Sequence, residues 1–286
     1  MTVLELITRT SARLTDAGVS FGHGTTCAFD EAAWLVLWRL GLPLDALDDH
    51  AGQAVTPAEE LAVQALVEQR IASRRPAAYL TGEAWLQGVP FHVDERVIVP
   101  RSLIAELIAD GRLDAWLHPD THRVLDLCTG NGSLAVLAAM AWPDVDVLAT
   151  DLSSDALQVA QMNVERHALQ QRIRLVQGDG LAAAPGRFDL ILCNPPYVNR
   201  RSMRELPPEY LAEPALALDG GEDGMDFIRG LIAALPDHLT PHGVLVLEIG
   251  HEREHFEAAF PELPLVWLPT SAGDDLVLLI EREALP

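Results

Sequence analysis

Lysine is absent from this sequence of 286 residues; its 20 basic residues are all arginine, against 42 aspartates and glutamates, for a formal net charge of −22. A chain so poor in cations is a poor match for a polyanion, because each phosphate contact needs a cationic partner. Tracking of a nucleic acid backbone is therefore not expected. The same charge attracts a basic protein and speeds encounter at low salt. Acidic surfaces also aid solubility, so charge alone does not identify a partner. Cysteine is scarce. Cys27, Cys128 and Cys193 share no metal-like spacing, and an odd count suits a reduced compartment. No apolar run approaches the roughly 18 residues of a spanning helix. Met1-Thr2-Val3-Leu4-Glu5 lacks the basic segment and long apolar stretch of a signal peptide. No membrane association and a cytoplasmic location are expected. No internal repeat or low-complexity tract is found.

What is present reads as a globular chain. With 49% apolar and 22% charged residues, it has room for one large α/β domain and a smaller attachment. Thr2 to Asp16 reads as a helix followed by Gly18, Asp30 to Trp38 as a strongly apolar helix stopped at Gly41 and Pro43, and Thr56-Pro57-Ala58-Glu59 as a helix start. Trp34 and Trp38, one helical turn apart, read as core of this small bundle. Tyr79 to Val99 mixes aromatic and β-branched residues with Gly82, Gly88 and Pro90, predicting an extended hairpin, and Pro100-Arg101-Ser102 opens another helix through Ile108. From Arg123 onward, apolar runs (124–128, 145–151, 173–177, 188–193, 243–249) alternate with helices, predicting a parallel sheet covered on both faces. Leu265 to Leu268 and Leu276 to Ile280, joined across Ser271-Ala272-Gly273-Asp274, must be antiparallel. The expected fold is α/β and Rossmann-like, a mostly parallel seven-stranded sheet of the class I methyltransferase type. The expected domains are a helical substrate-recognition unit over 1–75, a hairpin linker over 76–100, and the catalytic domain over 101–286.

Two segments carry chemistry. Asp126-Leu127-Cys128-Thr129-Gly130-Asn131-Gly132 closes the first strand and opens a helix; the glycines let backbone turn sharply against a ligand. Asp151 ends the next strand, where a carboxylate can accept hydrogen bonds from two ribose hydroxyls. Gly130, Gly132 and Ala135 also fit a dinucleotide fingerprint, so a nicotinamide cofactor remains open from this loop alone. Asn194-Pro195-Pro196-Tyr197, directly after a strand, favours a methyl donor. An amide or exocyclic amine nitrogen is a poor nucleophile because its lone pair is delocalised. The Asn194 side-chain oxygen and the Pro195 carbonyl can each accept one N–H of an NH2 group, fixing the nitrogen and opposing that delocalisation. The prolines lock φ and hold a carbonyl outward, and Tyr197 offers a flat face to a planar group. His251-Glu252-Arg253-Glu254-His255 matches a zinc-peptidase pattern, but with no third ligand downstream it reads as an acidic helix, and no metal is expected.

With these motifs in place the chain resembles the protein-glutamine methyltransferases over nearly its whole length, with Tyr79-Leu80-Thr81-Gly82, Phe91-His92-Val93 and Val99-Pro100-Arg101 similar to the family's linker. Val99-Pro100-Arg101-Ser102-Leu103-Ile104-Ala105-Glu106-Leu107, Phe21-Gly22-His23-Gly24-Thr25, Leu206-Pro207-Pro208-Glu209-Tyr210 and Ser271-Ala272-Gly273-Asp274-Asp275 are similar to the branch that modifies large-subunit ribosomal protein L-three. The resemblance implies S-adenosylmethionine as donor, residues 128 to 132 near its methionine end, Asp151 at the ribose, and Asp179 and Gly180 near the adenine. Asn194, Pro195, Pro196 and Tyr197 would hold the substrate amide. It further implies a basic ribosomal protein as partner, free or in an assembly intermediate, gripped by the N-terminal helices and hairpin. Glutamine methylation of a release factor, adenine amino methylation of nucleic acid, and a ribosome-assembly binding protein without activity are the alternatives.

Overall fold

A computed structural model describes residues 1–285. The chain begins with α1 (Val3–Asp16), α2 (Ala28–Leu40), α3 (Leu47–His50), α4 (Pro57–Ser73) and α5 (Ala77–Thr81). Thr2 and Glu5 form a reciprocal capping box on α1, and Thr56 and Glu59 repeat it on α4 with Pro57 in the first turn. Gly41, left-handed at φ 67°, ends α2. Leu6, Ile7 and Leu14 pack with Leu35, Val36, Val63 and Val67, while Trp34 and Trp38 lie half-buried against this core.

The hairpin is smaller than the expected 79–99. Its strands, β1 (Glu83–Leu86) and β2 (Val89–His92), join through Gln87 (φ 50°) and Gly88 (φ 74°), a turn whose twist suits a tight antiparallel pair. Tyr79 belongs to α5 instead, because Pro76 caps that helix and left-handed Gly82 ends it. Its hydroxyl donates to the Val97 carbonyl at 2.5 Å, and residues 94–97 close a turn, with the Val97 amide donating to the Asp94 carbonyl at 3.1 Å, instead of continuing the strand.

After α6 (Ile104–Ala109) the chain runs β3 (Arg123–Leu127), α7 (Ser133–Ala141), β4 (Asp146–Asp151), α8 (Ser154–Arg166), β5 (Ile173–Gln177), β6 (Phe188–Cys193), α9 (Arg200–Glu205), α10 (Asp226–His238), β7 (Leu239–Glu248), α11 (Arg253–Ala259), β8 (Val266–Thr270) and β9 (Gly273–Glu281). One seven-stranded sheet has the order β5-β4-β3-β6-β7-β9-β8, parallel except for β9, which is antiparallel to β7 and β8. Val124, Leu190, Leu192 and Val246 face one apolar core and Leu125, Leu127, Ile191 and Leu247 the other. Both faces are therefore dry, and the strands carry apolar residues in unbroken runs. The chain reverses its direction of strand addition between β3 and β6. That switch point opens a crevice at the carboxyl ends of the strands.

Candidate active site

The loop after β3 turns through three left-handed residues, Cys128 (φ 62°), Gly130 (φ 56°) and Gly132 (φ 81°). A Cβ on Gly130 would meet nothing within 4 Å, whereas one on Gly132 would stand 3.2 Å from the Ala160 Cβ, so the second glycine serves helix packing. Asp126, 1% exposed, accepts from the Thr129 hydroxyl at 2.5 Å and the Ala135 amide at 3.0 Å. Burial raises its pKa to about 7, against those two hydrogen bonds. Asn131 accepts from the Ser133 amide at 3.2 Å. The side chains of Asp126, Thr129 and Asn131 thus build the loop from behind instead of lining the crevice, because each is hydrogen-bonded to a group within nine residues along the chain. Asp151 braces the loop from β4, accepting from the Gly130 amide at 2.9 Å and the Ser153 amide at 2.9 Å. Burial raises its pKa, with those amides opposing.

The crevice is a mostly apolar cavity bounded by Leu127, Cys128, Asp151, Leu152, Gly178, Asp179, Gly180, Asn194, Pro196 and Phe227, covered by residues 96–98 and by Pro214, Leu216 and Ala217. Phe227, from the first turn of α10, lies 3.7 Å from where a Cβ on Gly180 would stand. Sequence reasoning placed Cys128, Asp151, Asp179, Gly180, Asn194 and Pro196 here. It missed Phe227 and both covering segments, which carry no motif and come from distant parts of the chain. Asn163 was missed as well. Fully buried on α8, it donates to the Asn131 carbonyl at 2.9 Å and the His92 carbonyl at 3.0 Å and accepts from the His92 amide at 2.6 Å, tying the hairpin to the glycine loop.

Asn194-Pro195-Pro196-Tyr197 leaves the carboxyl end of β6 with Asn194 and Pro196 on the cavity wall. The Pro195 carbonyl accepts no backbone hydrogen bond from the described residues and so keeps its lone pairs. Tyr197 is locked from several sides. A Cβ on Gly250 would stand 2.5 Å from its ring, one on Gly220 would stand 2.7 Å from its Cα, and one on Gly224 would collide with its carbonyl oxygen. Its hydroxyl donates to Glu248 at 3.4 Å. Glu248, buried at the end of β7, also accepts from the Ser102 hydroxyl at 2.6 Å and the Leu103 amide at 2.9 Å. Burial raises the Glu248 pKa against the Ser102 and Leu103 hydrogen bonds, and burial next to Glu248 raises that of Tyr197. Tyr197 therefore anchors the loop by its hydroxyl and its packed ring, and it does not line the cavity as the flat face expected from the sequence.

The segment 206–219, which folds over the cavity, is bolted to the N-terminal helices. Glu209 accepts from the Ser20 amide at 3.1 Å, Arg70 at 3.3 Å and Arg74 at 3.2 Å, and Arg70 also reaches Glu31 at 2.8 Å. Arg101 grips Glu213 with two bonds of 2.6 and 2.7 Å. Burial alone would raise the Glu213 pKa, but His23 and Arg101 hold it at about 2. The Tyr210 ring packs on His23 at 4.3 Å between centroids. The histidines of the zinc-like pattern do not share a helix face, since His251 precedes α11. Glu252 is occupied by Asn199 at 2.6 Å and His255 at 2.5 Å. Among the described residues no three His, Cys, Asp or Glu side chains converge as metal ligands.

A seven-stranded sheet of this order, with a glycine loop after β3, an acidic residue ending β4 and Asn-Pro-Pro-Tyr after β6, defines a class I methyltransferase. Residues 112–222 match the Methyltransferase small domain family. A methyltransferase from Pyrococcus furiosus shares the fold, with a TM-score of 0.51 and 21% identity over 77% of this chain and 97% of that one. Two curated relatives are called ribosomal protein uL3 glutamine methyltransferase. That of Bordetella pertussis is 54% identical over 99% of this chain and 96% of its own length, and that of Burkholderia pseudomallei 51% identical over 100% and 96%. The chain belongs to the ribosomal protein uL3 glutamine methyltransferase family.

Proposed function

We propose that the protein methylates the side-chain amide nitrogen of a glutamine in large-subunit ribosomal protein uL3 (L-three), with S-adenosylmethionine as donor. The observation that carries the chemistry is the Asn194–Pro195 edge, with Asn194 on the wall of an apolar crevice and the Pro195 carbonyl unclaimed beside it. The residues present fit this donor. A Cβ on Gly130 would meet nothing within 4 Å, Asp151 stands at the β4 edge for a ribose, and Asp179, Gly180 and Phe227 line the cavity where an adenine would lie. When bound, the donor supplies an electrophilic methyl group on a sulfonium. Asn194 and the Pro195 carbonyl each accept one amide N–H, so the glutamine nitrogen is fixed toward the methyl donor and the positive charge that builds on its N–H groups is stabilised there. The apolar wall excludes water that would compete for those acceptors. The alkylated nitrogen is acidic enough to release its proton to water, so no side chain has to act as a strong base.

The Bordetella and Burkholderia relatives support the choice of uL3 by their full-length similarity, and the charge of −22 suits a basic ribosomal protein. In this reading the substrate is met in the cytoplasm, free or in an assembling particle, and no nucleic acid sequence is read. Incubation with labelled donor and purified uL3, release factor or RNA tests it. Label on a uL3 glutamine is the expected result, and label confined to release factor or to RNA overturns it.

A further inference from the structure

Trp85 is a large apolar side chain that the fold leaves out. It stands 44% exposed on β1 and faces a groove of about 850 Å³ lined also by Trp38, Leu42, Leu44, Asp45 and Glu83. No residue of this groove borders the donor cavity. Glu83 accepts from the Trp85 indole at 3.1 Å and from Arg166 at 2.6 Å, so the ring is held in place without being covered. Exposed, immobilised tryptophan next to a half-buried second one is a costly arrangement for a surface that meets only water. Charge points to the occupant. From Leu40 to Gln69 the chain has no arginine. Glu60 and Glu68 in that stretch are matched by Arg9 and Arg13, but Asp45 on the rim and Asp48 and Asp49 on α3 form no ion pair among the described residues. Two indoles and the unmatched Asp45 in the groove, with Asp48 and Asp49 three and four residues further along the chain, suit a segment with guanidinium or ammonium heads on aliphatic stems, by cation–π contact, stem packing and charge.

We propose that this groove docks an arginine- or lysine-rich segment of the protein substrate, away from the glutamine that is methylated; the inference rests on the functional reading above. The hairpin abuts the carboxyl end of α8 through Arg166 and through His167, whose ring nitrogen meets the Pro90 carbonyl at 2.9 Å, while Ser153 and Ala156 at the other end border the donor cavity. Thirteen helical residues separate the two ends, a span of roughly 20 Å at the α-helical rise. A folded substrate touching both places gains its second contact at high effective concentration. A short peptide around the glutamine reaches only one.

The test measures methylation of intact uL3, and of a short peptide spanning its methylated glutamine, by wild type, Trp85→Ala and the double variant Asp45→Asn/Asp48→Asn. These side chains are on the surface, and an unchanged thermal midpoint verifies folding. Expected is a KM for intact uL3 raised about fivefold or more by Trp85→Ala, as for an interface anchor, with kcat, donor KM and peptide KM unchanged. The double variant is expected to weaken the salt dependence of the uL3 KM. An unchanged uL3 KM in both variants overturns the docking site while leaving the methyltransferase reading intact. A peptide KM that rises in parallel also overturns it, since the groove would then act through the reaction site. Failure of wild type to label uL3 at all overturns the functional reading and the docking site together.

Discussion

Asn194 occupies the one strand end where the crevice, the reaction loop and an unclaimed backbone carbonyl meet. Replacing it with alanine removes one of two acceptors for the substrate NH2, so kcat is expected to fall roughly 10²–10³-fold, the cost of losing one preorganised polar partner. Donor affinity measured by calorimetry should be largely retained, because the rest of the cavity wall is untouched. Tyr197→Phe tests a different contribution. It deletes only the 3.4 Å hydrogen bond to Glu248, leaving the ring in its cage of glycines. A loss in kcat smaller than about tenfold is expected, in line with a single long hydrogen bond. A loss as large as that of Asn194→Ala would assign the hydroxyl to the chemistry and refute a purely anchoring role.

At the scale of elements, the segment 206–219 matters most, since it covers the donor cavity while its carboxylates are held by residues of α4 and the linker. Glu213 has its pKa lowered to about 2 from an ordinary 4.5 by His23 and Arg101 against the effect of burial. A depressed carboxylate stabilises the fold fully above its unfolded pKa and loses that contribution as pH falls through the folded value. The cover is therefore expected to loosen between about pH 4.5 and 2, with up to roughly 3 kcal/mol at stake. Hydrogen exchange of 206–219 across that range checks it, and Glu213→Gln should flatten the dependence. Gly250→Ala probes the other side of the site. At φ 52° and with a Cβ 2.5 Å from the Tyr197 ring, it should cost about 1–3 kcal/mol in backbone strain alone and displace the tyrosine, lowering both the thermal midpoint and kcat.

The elements themselves were legible where one period of hydrophobicity ruled. β5 and β6 fall where their apolar runs predict, and α1 and α4 start at their Thr caps. The 79–99 hairpin was misjudged because Tyr79 and Val97 look like strand residues but are buried against each other by a side-chain hydrogen bond. Asp151, Asn194 and Pro196 could be placed on the cavity wall from sequence because each sits in a short contiguous motif at a strand end. Phe227, Asn163 and Glu248 could not be read, since each acts on a partner at least 32 residues away and no local pattern marks it. The motif Leu206-Pro207-Pro208-Glu209-Tyr210 was visible as a resemblance, but that Glu209 accepts hydrogen bonds from both Arg70 and Arg74 is a fact of tertiary packing.

For the whole molecule, the absence of lysine and the charge of −22 set the kinetics of encounter. With a basic protein as substrate, kcat/KM is expected to fall roughly tenfold or more from low to physiological salt, mainly through association. A flat salt profile with purified uL3 would refute electrostatic capture. Asn163 adds a consequence of another kind. Its amide joins His92 of the hairpin to Asn131 of the glycine loop, so whatever stiffens the hairpin also stiffens the loop proposed to meet the donor. Free energies of linked binding are reciprocal. Substrate that tightens donor binding must itself bind more tightly to the donor-loaded enzyme, by the same factor, and Asn163→Ala should bring that factor to one.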